Sequence, residues 1–187
     1  TVNMLGCHDG IPLLDLKGLL PEEEIQSLID RIVSRGGMVK NLHGQKNLYY
    51  QVNATYYSAL GESDEKMLLA RAIQMFMPGK PQVWYLDLFA GKNDHEAVRR
   101  AGESGHKEIN RTNLSTDQIA EDLKKDVVQK QLALIRMRNT HKAFSEGAEV
   151  AISGGESFLQ IRWEYNSAFA TLNVNFESGT YTIVESR

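Results

Sequence analysis

The sequence predicts an α/β fold in two parts, βα units typical of a parallel barrel followed by a small antiparallel β domain. In the first part, a buried strand precedes an amphipathic helix and a later helix precedes a second buried strand, which is the alternation found in parallel barrels. In the second part, four short segments alternate between apolar and polar residues and are separated by tight turns, as in an antiparallel sheet. We therefore predict two domains, residues 1–145 and 146–187.

Turn and capping residues delimit the elements of the first part. Pro21 and the three glutamates that follow it predict the start of a helix, because the helix dipole favours anions there. Gly36 and Gly37 predict its end. The predicted elements, in order, are a buried strand over 1–5, a helix over 21–35, a surface loop over 38–47, a helix over 63–77, a buried strand over 81–90, a polar loop over 92–111 and a last helix over 115–140.

The composition is that of an ordinary globular protein and excludes several classes of function. The 187 residues are 42% hydrophobic and 24% charged, with a net charge of −3 and a sequence pI near 6.0. The net charge gives no reason to expect nucleic acid as a partner, and the sequence has no basic tract. No apolar stretch reaches the roughly 18 residues that a membrane span needs. The single Cys7 excludes an intrachain disulfide and fits a reducing cytoplasm. The sequence begins at Thr1 and shows neither an initiator Met nor the charged and apolar regions of a signal peptide, so we expect a truncated chain.

The adjacent His8 and Asp9 are the first candidate site residues. They follow the predicted strand directly, and side chains at the carboxyl end of a barrel strand reach the pocket where chemistry occurs. The alternative is a turn in which Asp9 and Gly10 only reverse the chain.

A second candidate is the aromatic segment over 49–57, in which tyrosine pairs flank amide side chains. Such rings pack on the C–H surfaces of sugars, while hydroxyl and amide groups bond sugar hydroxyls. A tyrosine-rich, half-buried strand explains the same composition.

Five segments together resemble the sucrose phosphorylase branch of the α-amylase-type glycoside hydrolases, in the order that the family keeps. The resemblance runs over nearly the whole chain but covers only the C-terminal part of such an enzyme. It implies the C-terminal part of a (β/α)8 barrel, with an inserted helix and acceptor loop over about 11–61, followed by the antiparallel domain. The segments are CHDGI (7–11), YQVNATYYSALG (50–61), PGKPQVWY (78–85), AGKND (90–94) and INR (109–111).

The resemblance also implies roles for individual residues. Asp9 matches the carboxylate that stabilises the transition state, and His8 matches a histidine that bonds the same glucose. Arg111 matches an arginine at the far end of the glucose pocket, although its sequence alone also fits a solvated loop arginine. Tyr50 and Gln51 match residues that the family uses for the acceptor or phosphate. The nucleophile and the general acid/base lie upstream in the family and have no counterpart here.

The acceptor segment departs from the family, because KNLY (46–49) stands where sucrose phosphorylases typically carry Asn-Leu-Asp-Leu or Asn-Leu-Asp-Ile, so the family's aspartate is lost. The departure leaves the acceptor open among fructose, a fructose phosphate, glycerate and glycerol. His43 and Lys46 supply positive charge that suits a phosphorylated acceptor.

The implied parent protein is a retaining glucoside phosphorylase that converts sucrose or a related α-glucoside and phosphate into α-glucose 1-phosphate. The isolated chain is predicted to be inactive. No metal or organic cofactor is implied, and the five histidines show no metal-ligand spacing. Neither nucleic acid nor a membrane is expected as a partner, while a homo-oligomer is left open. Two alternatives are a non-catalytic carbohydrate-binding or interaction module, and a hydrolase or transglucosidase of the same clan.

Overall fold

The structure, a computed structural model, describes residues 1–41 and 49–186. Its contacts divide the chain into two units. The first unit contains Thr1–Met4, Asp64–Gln82 and Lys124–Arg187, and the second contains Leu5–Ser63 and Val83–Leu123. This division differs from the predicted boundary near residue 145, because helices that precede that residue pack on the C-terminal sheet.

Short elements predominate in the second unit, and the longest strands belong to the first. Within the described residues, no helix has the length and apolar composition needed to cross a membrane. The strands are β1 Val2–Asn3, β2 Ile11–Pro12, β3 Met38–Asn41, β4 Tyr49–Asn53, β5 Lys80–Pro81, β6 Glu149–Gly154, β7 Phe158–Tyr165, β8 Ala168–Asn175 and β9 Thr180–Glu185. The α-helices are α1 Glu22–Ser34, α2 Tyr56–Ala59, α3 Asp64–Phe76, α4 Tyr85–Leu88, α5 His95–Ala101, α6 Thr116–Asp122 and α7 Asp126–Thr140, and 3-10 helices span Leu14–Leu16, Gly102–Asn110 and Lys142–Phe144.

The first unit is built on an antiparallel sheet with the strand order β6-β7-β8-β9. The buried residues of this sheet lie in its two central strands, among them Ile161 and Leu172, which face each other in the register of β7 and β8. The Trp163 indole donates a hydrogen bond to the carbonyl of Phe76 at the end of α3, at 2.6 Å. The four predicted antiparallel strands are thus confirmed, and α3 covers part of their apolar face.

The same unit contains one parallel pair of strands. β1 pairs with β5 through Val2 and Lys80 and through Asn3 and Pro81. The predicted N-terminal strand is only two residues long, and Val2 is 57% exposed. The strand predicted over 81–90 is wrong beyond Pro81, since residues Tyr85–Leu88 form α4. A short apolar run does not distinguish a buried strand from a buried helix.

Two further predictions are corrected by the helices that follow. The loop predicted over 92–111 contains α5 and the 3-10 helix Gly102–Asn110, and the Asp94 carboxylate caps α5 by accepting a hydrogen bond from the Ala97 amide. The single helix predicted over 115–140 is two helices, because Lys125 has extended backbone and begins α7 anew. This break falls where the chain passes from one unit to the other.

The second unit contains a three-stranded sheet with the order β2-β4-β3, in which β4 is antiparallel to both neighbours. Its core comprises Leu13, Ile29 and Val52. Helix α1 forms as predicted, with glutamates in its first turn and Gly36 at a φ of 88° just after its end. The loop predicted over 38–47 begins instead with β3, whose Val39 packs against this core.

Candidate functional site

His8 and Asp9 occupy the centre of a tight turn in the second unit. Cys7 and Gly10 close it with two backbone hydrogen bonds, of 3.2 Å and 2.9 Å. Gly10 has a φ of 101°, and a Cβ at this position would lie 2.3 Å from the Val52 carbonyl oxygen. A residue without a side chain is therefore required here. The alternative of a reversing turn describes the backbone correctly, and the same turn presents both side chains to their neighbours.

The Asp9 carboxylate lies among three nitrogen-bearing side chains. Its Oδ1 accepts a hydrogen bond from the Lys107 Nζ at 2.6 Å and another from an Arg111 Nη2 at 3.1 Å. Its Oδ2 lies 3.3 Å from the His8 Nε2. The Asp9 side chain is 36% exposed, so the carboxylate is held by the protein and still reached by solvent.

These contacts favour the ionised form of Asp9. The hydrogen bond from Lys107 contributes most to lowering the pKa of the Asp9 carboxyl, partial burial opposes it, and the charges of Lys107, His8 and Arg111 lower it further. Nearby cations stabilise a carboxylate relative to its neutral acid. Asp9 is therefore an anionic hydrogen-bond acceptor at neutral pH, which suits it to bind hydroxyl groups.

Arg111 holds the backbone of the turn as well as its carboxylate. Its Nε donates to the His8 carbonyl at 2.9 Å, while Nη1 lies 3.6 Å from a Glu108 carboxylate oxygen. A planar guanidinium presents several donors in fixed directions, so one side chain satisfies all three acceptors.

Two buried asparagines donate hydrogen bonds to the backbone of the same turn. The Asn110 amide donates to the Cys7 carbonyl at 2.6 Å, and the Asn53 amide donates to the Asp9 carbonyl at 2.8 Å. Both residues are almost inaccessible, at 1% and 0% exposure. Removing the Asn53 amide would deprive the Asp9 carbonyl of its donor, whereas the Cys7 carbonyl also accepts a hydrogen bond from the Gly10 amide. Segments about 45 and 100 residues from the turn thus determine its position.

An aromatic side chain lies beside His8. The ring centroids of His8 and Trp84 are 6.0 Å apart and tilted by 52°. The Trp84 indole donates to the Asn110 carbonyl at 3.3 Å, and its ring centroid lies 4.5 Å from that of Tyr85. His8 remains more than half exposed, and is therefore accessible to a ligand.

The aromatic segment is divided between a strand and a short helix. Tyr49 and Tyr50 belong to β4, and Gln51, in the same strand, is 7% exposed and pairs with Pro12 of β2. Tyr56 and Tyr57 lie in α2, and Tyr57 is buried, so its role is packing rather than stacking on a sugar. His43 and Lys46 lie outside the described residues.

Hydrogen bonds connect the residues that follow β4 to the residues that precede α5. The Thr55 amide donates to the Asn93 side-chain oxygen at 2.8 Å, and the Asn93 amide donates to the Ser58 hydroxyl at 3.0 Å. The Tyr56 amide donates to an Asp87 carboxylate oxygen at 3.0 Å. Two of the sequence segments singled out above, 50–61 and 90–94, therefore meet in the structure.

The structure brings His8, Asp9 and Arg111 together, and their chemical roles remain predictions. Sequence reasoning did not find Lys107 and Trp84. The available signal was their position in the sequence, since Trp84 lies within the segment PGKPQVWY and Lys107 lies two residues before INR.

Comparison with known proteins gives a consistent set of relatives. A sucrose 6(F)-phosphate phosphorylase from Ilumatobacter coccineus is 54% identical over 98% of this chain and 36% of the relative. A glucosylglycerol phosphorylase from Marinobacter adhaerens is 37% identical over 99% of this chain and 40% of the relative. The crystal structure of sucrose 6F-phosphate phosphorylase from Thermoanaerobacter thermosaccharolyticum matches with a TM-score of 0.93 at 39% identity, covering 100% of this chain.

The chain spans between 36% and 40% of the length of these proteins. No model of a known protein family matches it.

Proposed function

This chain belongs to the sucrose phosphorylase family, and on that premise we propose that it forms the glucose-binding part of a retaining glucoside phosphorylase. The full-length enzyme would cleave an α-glucoside with phosphate and release α-glucose 1-phosphate. The observation that carries this proposal is the anionic Asp9 at the centre of a tight turn, within 3.3 Å of the His8 imidazole and 3.1 Å of the Arg111 guanidinium.

Retaining cleavage of a glycosidic bond uses two carboxyl groups and passes through an oxocarbenium-like transition state. We assign neither of those carboxyls to this chain. The proposed role of Asp9 is to accept hydrogen bonds from glucose hydroxyls through its Oδ2, bonds that strengthen as the ring becomes cationic. His8 would donate to the same glucose, and Arg111 would hold the turn and the far end of the pocket.

The fold proposal follows from the same relationship. We propose that the chain is the C-terminal part of a (β/α)8 barrel with an inserted subdomain and a terminal antiparallel domain. The parallel pairing of β1 with β5 supports this proposal, since barrel strands are parallel.

A phosphorylated sugar is the acceptor that we propose, with sucrose 6F-phosphate as the substrate. Support comes from the name of the relative at 54% identity. Positive charge suits the recognition of a phosphate group, and His43 and Lys46 would supply it. Replacing both residues would then reduce the preference for sucrose 6F-phosphate over sucrose, and an unchanged preference would contradict their role.

An acceptor panel on the full-length protein tests the proposal. Sucrose, sucrose 6F-phosphate and glucosylglycerol are each incubated with and without phosphate, and α-glucose 1-phosphate is measured. We expect phosphate-dependent formation of glucose 1-phosphate, fastest from sucrose 6F-phosphate. The 187-residue chain by itself should give none, because it carries no proposed nucleophile to form the covalent intermediate.

The remaining outcomes of the panel correspond to the alternatives. Turnover that phosphate does not accelerate indicates a hydrolase or transglucosidase. Sugar binding without turnover in the full-length protein indicates a carbohydrate-binding module. For location, the single free Cys7 supports a cytoplasmic protein.

A further inference from the structure

Lys107 makes the shortest contact of the Asp9 carboxylate. It lies in the 3-10 helix Gly102–Asn110, and its Nζ is 2.6 Å from the Asp9 Oδ1. Its side chain is 38% exposed, so the ammonium group is partly withdrawn from solvent. None of the site roles predicted from the sequence includes this lysine.

Lys107 and Arg111 bind the same oxygen of Asp9 and leave the other to His8. Arg111 divides its donors among the Asp9 carboxylate, the His8 carbonyl and Glu108. Two donors hold the position of Oδ1 and so restrict the positions that Oδ2 can take. Among the described residues, Oδ2 contacts His8 and no other hydrogen-bonding group, so Oδ2 is the oxygen available to a ligand.

We propose that Lys107 is a positioning residue that directs the Oδ2 of Asp9 toward the bound glucose by holding its Oδ1. The proposal rests on the proposed function, because it assigns a purpose to the orientation of the carboxylate. Lys107 acts through Asp9 and does not itself touch the sugar. A misplacement of about 1 Å in such a group is costly, with losses on the order of 100-fold in rate.

The electrostatics of the site support this assignment. The hydrogen bond from Lys107 is the largest cause of the lowered pKa of Asp9. In the part of the chain that the structure describes, the other charged or titratable groups that face this carboxylate are Arg111 and His8, and Glu108 lies beyond Arg111. Losing Lys107 should therefore raise the pKa of Asp9, and its ionised form should be lost at a higher pH.

The test compares Lys107→Met with Lys107→Arg in the full-length phosphorylase. Lys107→Met should lower kcat with sucrose 6F-phosphate roughly 10- to 100-fold, with a smaller change in KM, and move the acidic limb of the kcat/KM profile to higher pH. Lys107→Arg should recover most of the rate, because it restores a cation to Oδ1. Lys92→Met is the matched control, since Lys92 pairs with Glu62 and should leave the rate unchanged.

A wild-type rate and pH profile in Lys107→Met overturns the proposal, and so does a Lys107→Arg variant as impaired as Lys107→Met. A second measurement keeps the test independent of the proposed activity. The Asp9 carboxyl is titrated by NMR after selective 13C labelling of aspartate, with its signal assigned from Asp9→Asn. An unchanged Asp9 pKa in Lys107→Met excludes the contact between Lys107 and Asp9, whether or not the full-length protein is active. A lack of phosphorolytic activity in the wild-type full-length protein counts against the proposed function, not against this contact.

Discussion

At the residue scale, the site depends on contacts between residues that are distant in the sequence. Lys107 and Arg111 are 98 and 102 positions from Asp9. Local patterns predict turns, caps and periodic elements, but they contain no information on which lysine will meet a given carboxylate. His8 and Asp9 were candidates because they follow a predicted strand, and Arg111 became one through a family resemblance. Lys107 required the three-dimensional structure.

Asp94 provides a test of the electrostatics in the second unit. The hydrogen bond from the Ala97 amide contributes most to lowering the pKa of the Asp94 carboxyl, while partial burial raises it. Hydrogen bonds from the Thr112 hydroxyl and the Glu96 amide lower this pKa further, as does the charge of Arg100. A carboxyl whose pKa is lowered by folding stabilises the protein above its unfolded pKa. That stabilisation is lost as the pH falls through the lowered value.

Asp94→Ala should therefore reduce the free energy of unfolding at neutral pH by about 0.5–2 kcal/mol, the usual value of an N-cap. Its stability should also fall less than that of the wild type as the pH drops below about 4. Urea denaturation at several pH values measures both effects. Asp117→Ala is the control, because Asp117 is exposed in the first turn of α6 and Ser115 is the N-cap there. Equal losses in the two variants would count against the capping role.

At the scale of elements, the sequence predicts best where one periodicity extends over a whole element. Helices α1 and α3 follow such patterns and lie close to their predicted bounds, and the four alternating segments form β6 to β9. The strand predicted over 81–90 failed because a short, mainly apolar run of this kind fits a buried helix equally well. The helix predicted over 115–140 failed because its charged, helix-compatible middle contains no local signal for the break before Lys125.

The turn at Gly10 links an element to the site. In Gly10→Ala, the added Cβ would meet the Val52 carbonyl oxygen at 2.3 Å and φ would be positive. Strain and overpacking together should lower the free energy of unfolding by roughly 2–4 kcal/mol, and the displaced turn should lower activity of the full-length protein.

Gly18→Ala is the matched control for this substitution. Gly18 also has a positive φ, 86°, but its Cβ would have no neighbour within 4 Å. Its cost should be the backbone term alone, about 1–2 kcal/mol, with activity retained. Denaturation of both variants is the measurement, and a Gly10→Ala variant as stable and as active as Gly18→Ala would contradict the constraint at the turn.

At the scale of the whole molecule, the first unit contains a parallel pair of strands with little cover. Parallel strands are normally buried on both faces, yet Val2 of β1 is 57% exposed. Other large apolar side chains of this unit are exposed as well, including Ile152 at 50% and Val184 at 53%. In the barrel proposed above, neighbouring elements would cover this parallel pair in the full-length protein.

The isolated 187-residue chain should consequently self-associate. Exposed apolar surface and open strand edges both favour pairing with another copy. Size-exclusion chromatography over a range of concentrations measures this, and we expect species larger than 21.0 kDa. Elution as a compact monomer at every concentration would contradict the inferred cover.

The rate of glucose 1-phosphate formation by Asp9→Asn, in the full-length protein, tests the central claim most directly. Asparagine keeps the size of the side chain and removes its charge, so kcat should fall roughly 100- to 1,000-fold, as for other groups that stabilise a transition state. Asp30→Asn, an exposed change on α1, should retain the wild-type rate. A wild-type kcat in Asp9→Asn would contradict the assignment of this carboxylate to the glucose site.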